Sequence, residues 1–266
     1  MTPTDARCSR HPAFAASGTC RRCGRFACAQ CFRPPAGLCA ECEVREGGPE
    51  VPPPWEKRGG LGMLQGYLQT VRAAAAEPVR FWSSFPGEGS MVDAVLFGWL
   101  TTVISAIPTA LLASLNLGQS VAILKSLPNL PPVAQRVLDF MDYNPLLFGG
   151  LLAAYMVVSY PVGLFLGAGL MHLLLLLWGA GGRGFQATLR VQAYAHFPQL
   201  MGWIPLIGAV AGIWQLVLFG MGASKVHRAS PGRVVGAILT PILLVALGGC
   251  GLAMLIPVML RGGLGR

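Results

Sequence analysis

LLFGGLLAAYMVVSYPVGLFLGAGLMHLLLLLW, residues Leu146–Trp178, runs for 33 residues without a charged side chain. At about 1.5 Å per residue such a helix is about 50 Å long, against a hydrocarbon core of about 30 Å. That is too short for two crossings and a turn, and long for one. The stretch reads as a single tilted transmembrane helix bent at Pro161, and it sets the class: an all-α polytopic membrane domain. Composition agrees. Of 266 residues 53% are hydrophobic and only 12% charged, about half the charged share of a soluble domain. The formal charge is +9, and the Lys and Arg residues flank apolar runs. This points to a membrane and not to nucleic acid.

Working outward, residues 91–115 form a span carrying Pro108, and residues 203–223 and 233–260 form two more. Residues 116–144 are more polar, with a short amphipathic helix over 133–143 that carries Arg136, Asp139 and Asp142. The segment 185–202 is polar for a crossing, with Gln186, Thr188, Arg190, Gln192, Tyr194, His196 and Gln199. Charge decides how it is read. If it does not cross, Lys225, Arg228 and Arg233 fall outside; if it does, they return to the cytoplasm with Arg183. Five spans over residues 91–262 therefore fit best, with a cytoplasmic N-terminus and an outer C-terminus. The candidate intramembrane polar residues are His172, Arg190, Tyr194 and His196. Gly163 with Gly167, and Gly208 with Gly212, give small-x3-small patterns that let helices approach.

Residues 61–90 precede the membrane. Leu61, Leu64, Leu68, Val71 and Ala75 lie on one helical stripe, which suits either a helix on the membrane surface or one packed on the bundle. Pro78 ends that helix. Phe81, Trp82 and Phe85 have the character of headgroup-level aromatics. Residues 47–60, rich in Pro and Gly, read as a stiff extended linker.

Residues 1–46 are a different material. Cys8-x2-His11, Cys20-x2-Cys23, Cys28-x2-Cys31 and Cys39-x2-Cys42 supply eight ligands, enough for two structural zinc ions with none left over. The segment is too poor in large apolar residues to fold on a core of its own, so metal must supply the missing free energy. Two pairings are open. In the interleaved one, Cys8, His11, Cys28 and Cys31 hold the first zinc and Cys20, Cys23, Cys39 and Cys42 the second. The sequential one joins neighbouring pairs. Only four residues separate Cys23 from Cys28, which crowds sequential sites and favours interleaving. Paired cysteines without an apolar signal core in residues 1–20 read as metal ligands in a reducing compartment. Cys250, alone in an apolar run, reads as a packing residue. With all ligand positions filled, no open site remains for catalytic water.

Two resemblances follow. Cys8-x2-His11-Pro12, Cys20-Arg21-Arg22-Cys23-Gly24-Arg25 and Cys28-x2-Cys31 resemble the B-box zinc finger over residues 8–42. Cys39 and Cys42 stand where many B-boxes carry histidine. The likeness implies a protein-interaction module. Residues 62–260 resemble the Yip domain family of multi-spanning membrane proteins (Ypt-interacting proteins). The carriers are Glu77-Pro78-Val79-Arg80-Phe81-Trp82, then His172 and the glycines 179, 181, 182 and 184 with Phe185. Thr188-Leu189-Arg190-Val191, Ala193-Tyr194-Ala195, Pro198, Pro205-Leu206-Ile207-Gly208, Trp214, Gly222 and His227 follow. That resemblance implies five spans and a cytosolic N-terminus. Eukaryotic members are linked to Rab-type GTPases and vesicle traffic, a partner not carried over here. The Ala, Gly, Pro and Arg content resembles a GC-rich bacterial gene, which places the chain in a bacterial inner membrane.

The expected function is a non-enzymatic scaffold or adaptor, its zinc module recruiting a cytoplasmic protein to the membrane in membrane organisation or trafficking. Lipid is the other partner, and a homo-oligomer is compatible with the sequence. The alternative is a transporter or channel with the polar residues of 185–200 in its pathway. A hydrolase finds little support: no Gly-x-Ser-x-Gly, phosphate loop or His-Glu-x2-His occurs, and Ser224 near His227 sits beside a basic loop.

Overall fold

Among the described residues, four strands of two residues each could not hold a fold by themselves, yet they organise the N-terminal segment. β1 (Gly18–Thr19) pairs antiparallel with β2 (Phe26–Ala27), and β3 (Phe32–Arg33) with β4 (Leu38–Cys39). α1 (Ala40–Glu46) follows directly. The computed structural model describes residues 6–33, 37–46, 50–128, 130–241 and 243–244, and divides the chain into two compact units, Met1–Gly89 and Ser90–Arg266.

Within the first unit, residues 54–60 of the expected extended linker are helical instead, while its residues 47–49 lie outside the described residues. A 3-10 turn (Pro54–Lys57) and α2 (Arg58–Leu61) lead into α3 (Met63–Ala76) and α4 (Pro78–Ser84). Trp55 is the reason. It is buried, its backbone N–H donates to Thr70 Oγ1 at 2.8 Å, and its ring meets Tyr67 edge-on at 6.2 Å. One large aromatic anchor outweighs the extended preference of its prolines. Phe81, Trp82 and Phe85 are buried and stack on one another, with centroids 5.0–5.7 Å apart. They are not free headgroup-level aromatics.

The second unit is helical: α5 (Met91–Lys125), α6 (Pro132–Tyr143), α7 (Pro145–Leu177), α8 (Gly184–Tyr194), a 3-10 turn (Phe197–Met201) and α9 (Ile207–Val226). Residues 231–241 are helical too. Among the described residues three helices, α5, α7 and α9, are long and apolar enough to cross a membrane. The expected count of five is therefore not matched. Most of the expected span at 233–260 lies outside the described residues. The expected span at 185–202 is an 11-residue helix and a 3-10 turn in place of one continuous helix. Pro198, which lacks an N–H and restricts the residue before it, stands at the break. α5 continues to Lys125, beyond the expected end at 115, because α6 packs on the extension. Leu138 buries against Leu117 and Val121, and Lys125 bridges Asp139 and Asp142 at 2.8 and 3.1 Å.

α5 and α7 form an antiparallel pair. A Cβ at Gly98 would strike the Tyr160 hydroxyl, and one at Gly149 would strike Ser114 Oγ and the Ala110 carbonyl. These two glycines allow the close approach. Gly163 and Gly212, from the small-x3-small patterns, face open space. α8 descends antiparallel along α7: Thr188 meets His172, Gln192 meets Gly167, and His196 meets Tyr160. α9 then returns, so that His227 reaches Thr188 and the Arg183 backbone. Arg233 donates to the Gly179 carbonyl at 3.3 Å, and Trp178 Nε1 to Thr240 at 3.0 Å. Arg183, Arg228 and Arg233 thus gather at the C-terminal end of α7. Residues 184–196 run back along α7 from His172 to Tyr160 without forming a long apolar helix.

Candidate metal centres

Each Cys-x2 pair sits where the short strands turn. Cys8 and His11 lie on a loop held by the Arg7–Ala15 bridge, with the Cys8 N–H bonded to the Phe14 carbonyl at 3.0 Å. Ser9 N–H donates to the Phe26 carbonyl at 3.0 Å, which brings this loop onto β2, two residues before Cys28. The Cys28–Cys31 turn closes when the N–H groups of Cys31 and Phe32 both reach the Cys28 carbonyl, at 2.9 and 2.8 Å. Cys20 and Cys23 occupy the β1–β2 turn, where Gly24 takes φ +70° and its N–H donates to the Cys20 carbonyl at 2.9 Å. Cys39 ends β4, and Cys42 stands in the first turn of α1.

These turns assemble two groups. The ligand atoms of Cys8, His11, Cys28 and Cys31 lie within 4.8 Å of one another, and so do those of Cys20, Cys23, Cys39 and Cys42. Each group could hold a metal ion, and the grouping is the interleaved one. His11 turns Nδ1 inward, 3.3 Å from Cys31 Sγ and 3.7 Å from Cys28 Sγ. Cys23 Sγ and Cys39 Sγ are 3.7 Å apart. Four sulfur or nitrogen ligands about 2.1–2.3 Å from a tetrahedral ion stand about 3.5–3.8 Å from each other. The donor set and its spacing fit such an ion.

The core of this segment consists mainly of cysteines from these two groups. Cys8, Cys20, Cys28, Cys31, Cys39 and Cys42 are buried together with Ala27 and Leu38, and Phe32 packs on the outside. Among the described residues every cysteine is a free thiol. Their ionisation is divided. The backbone N–H of Cys28 leads in drawing the Cys8 thiol down to about 6. Burial opposes ionisation of Cys20, but the N–H groups of Cys23 and Cys39 bring it to about 6. Burial and the neighbouring sulfurs push Cys31 up to about 11 and Cys42 to about 12. Without a cation, one thiolate in each group resists the ionisation of the next; a divalent cation removes that conflict.

The intramembrane candidates fall in two places. On one side His172 Nδ1 lies 2.9 Å from Thr188 Oγ1, which lies 2.9 Å from His227 Nε2. The Arg183 N–H donates to His227 Nδ1 at 3.1 Å. With neutral rings the protons can be ordered only one way. Nδ1 of His227 accepts, so Nε2–H donates to Thr188, whose hydroxyl donates to His172. On the other side His196 lies 3.2 Å from Thr102 Oγ1 and 3.5 Å from Gln215, and Gln215 accepts from Gln199 at 2.7 Å. Tyr194 is buried, its ring 4.9 Å from Phe97, and Arg190 is 0% exposed. Thr102, Gln215 and the bridging roles of Thr188 and His227 were not picked out from the sequence. The available signal was a polar side chain in an apolar run. Ser224 Oγ donates to the Ala229 carbonyl at 2.9 Å, so it is directed away from His227, which is engaged with Thr188.

No curated protein and no solved structure matches the chain. The model of the Yip1 domain matches residues 74–253, more than half of the chain and all of α5 to α9. By that match, and by the three long apolar helices within it, the chain belongs to the Yip1 domain family.

Proposed function

We propose that the protein is a non-enzymatic membrane adaptor: two structural zinc ions fold residues 1–46 into a B-box-like module that recruits a cytoplasmic protein to a bacterial inner membrane. The observation that carries this reading is the composition of the module's core. Among the described residues, six of its eight buried ones are cysteines of the two ligand groups, so metal here serves folding. Each group already offers four ligands, which leaves no position for a substrate. Exposed Phe14 and Phe26 give such a module apolar surface for a protein partner. The gathering of Arg183, Arg228 and Arg233 at one end of the bundle supports a cytoplasmic N-terminus, because basic residues stay on that side. The role in membrane organisation or trafficking follows from the same reading.

The test uses the full chain in nanodiscs, wild type against Cys20→Ser/Cys39→Ser, as bait for cytosolic proteins. The reading expects a defined protein retained by the wild type and lost in the variant. Identical retention by both, together with solute flux by wild-type proteoliposomes, would overturn it in favour of a transporter.

A further inference from the structure

α3 is packed on one side only. Gly66, Tyr67, Thr70 and Ala74 are buried, and Trp55 seals that face. Leu64 and Leu68 lie off that face and are exposed by 72% and 55%, and Met63, at the first position of the helix, is exposed by 64%. With Leu61, Gln69 and Arg72 they line a shallow groove. Val79 on the next helix, α4, is also exposed, by 59%. Packing within its own unit does not account for these leucines, since the Tyr67 face already provides that packing. A contiguous apolar stripe of this kind marks a contact surface.

The chain itself limits what can cover it. α3 ends at Ala76 and the membrane helix α5 begins at Met91. Seven of the residues between are helical in α4, and the other seven can extend. Their combined reach is about 35 Å. Once α5 is inserted, α3 cannot leave the neighbourhood of the bilayer surface, which is therefore present at high effective concentration. Leu64, Leu68 and Arg72 recur every four residues along one line of the helix. That order suits a helix lying in the interface, apolar side chains at the acyl boundary and a cation at the phosphates. Arg72 is exposed and has no acidic partner among the described residues.

We propose that α3 docks its Leu64–Leu68 face into the headgroup layer of the bilayer that α5 crosses, with Arg72 on lipid phosphate. This rests on the membrane reading of the second unit. The test is photocrosslinking of the full-length protein in nanodiscs of phosphatidylcholine, with and without phosphatidylglycerol. p-Benzoylphenylalanine is placed at Leu64, at Leu68 and, as a control, at Leu166, which is exposed on α7. Lipid adducts at all three positions are expected, with a higher yield at Leu64 and Leu68 when phosphatidylglycerol is present. Arg72→Gln should lower that advantage by up to about fivefold. Adducts from Leu64 and Leu68 to residues 90–241 would overturn the proposal, because the stripe would then be covered by the chain's own helices. Leu166 linked to lipid with Leu64 and Leu68 unlinked would also overturn it. Failure at Leu166 as well would instead bring down the membrane reading beneath it.

Discussion

Pro161 offers no N–H to the carbonyl of Val157, one turn earlier in α7. Trp99 on α5 supplies the missing donor, with its indole N–H 3.0 Å from that oxygen. A carbonyl facing lipid without a donor is expensive, so Trp99→Phe should destabilise the domain by about 1–2 kcal/mol. The measurement is thermal unfolding in detergent. Pro161→Ala in the Trp99→Phe background restores a helical donor and should recover most of the loss. No recovery would show that Trp99 acts by packing alone. A second prediction concerns the His172–Thr188–His227 chain. Thr188→Val removes the hydroxyl that joins two rings, at a cost of about 1–3 kcal/mol, while Thr188→Ser should stay near the wild type. The two Cys/His groups were legible because residue identity and spacing are local. Trp99 was not, because its partner is 58 residues away and the need for it arises only from Pro161.

At the scale of elements, the long apolar helices were readable from run length, since a bilayer imposes that length directly. What run length could not show is which small residues lie at a crossing. Gly98 and Gly149 stand between α5 and α7, whereas Gly163 faces open space. Gly98→Leu should therefore destabilise by about 1–3 kcal/mol or more through overpacking against Tyr160 and the Ala193 carbonyl, and Gly163→Leu should be tolerated. Helix-pair stability in detergent reads the difference, and equal effects would contradict this assignment of the crossing. The segment expected as a span over 185–202 is a short helix and a 3-10 turn for a related reason. Thr188, His196 and Gln199 find partners on α5, α7 and α9, so neither the segment's hydropathy nor its periodicity reports where it packs. Trp55 was hidden similarly, since a Pro-rich flank reads as extended until an aromatic finds α3.

At the scale of the whole molecule, two units rest on different physics. Met1–Gly89 contains a core of cysteines from two groups that could hold metal, and Ser90–Arg266 three helices long and apolar enough to cross a bilayer. Metal should therefore control one and not the other. A strong chelator should expose residues 6–46 to limited proteolysis while the helical signal of the bundle is kept, because folding free energy in the module is metal-binding free energy. Loss of both together would contradict the division. The most direct test of the metal centres is zinc per chain, by elemental analysis of full-length protein. The wild type should hold two ions. Cys8→Ser/Cys28→Ser alters two ligands of one interleaved site and should leave one ion, whereas Cys8→Ser/Cys20→Ser alters a ligand of each and should weaken both. Fewer than two ions in the wild type, or the opposite pattern in the two variants, would contradict the account.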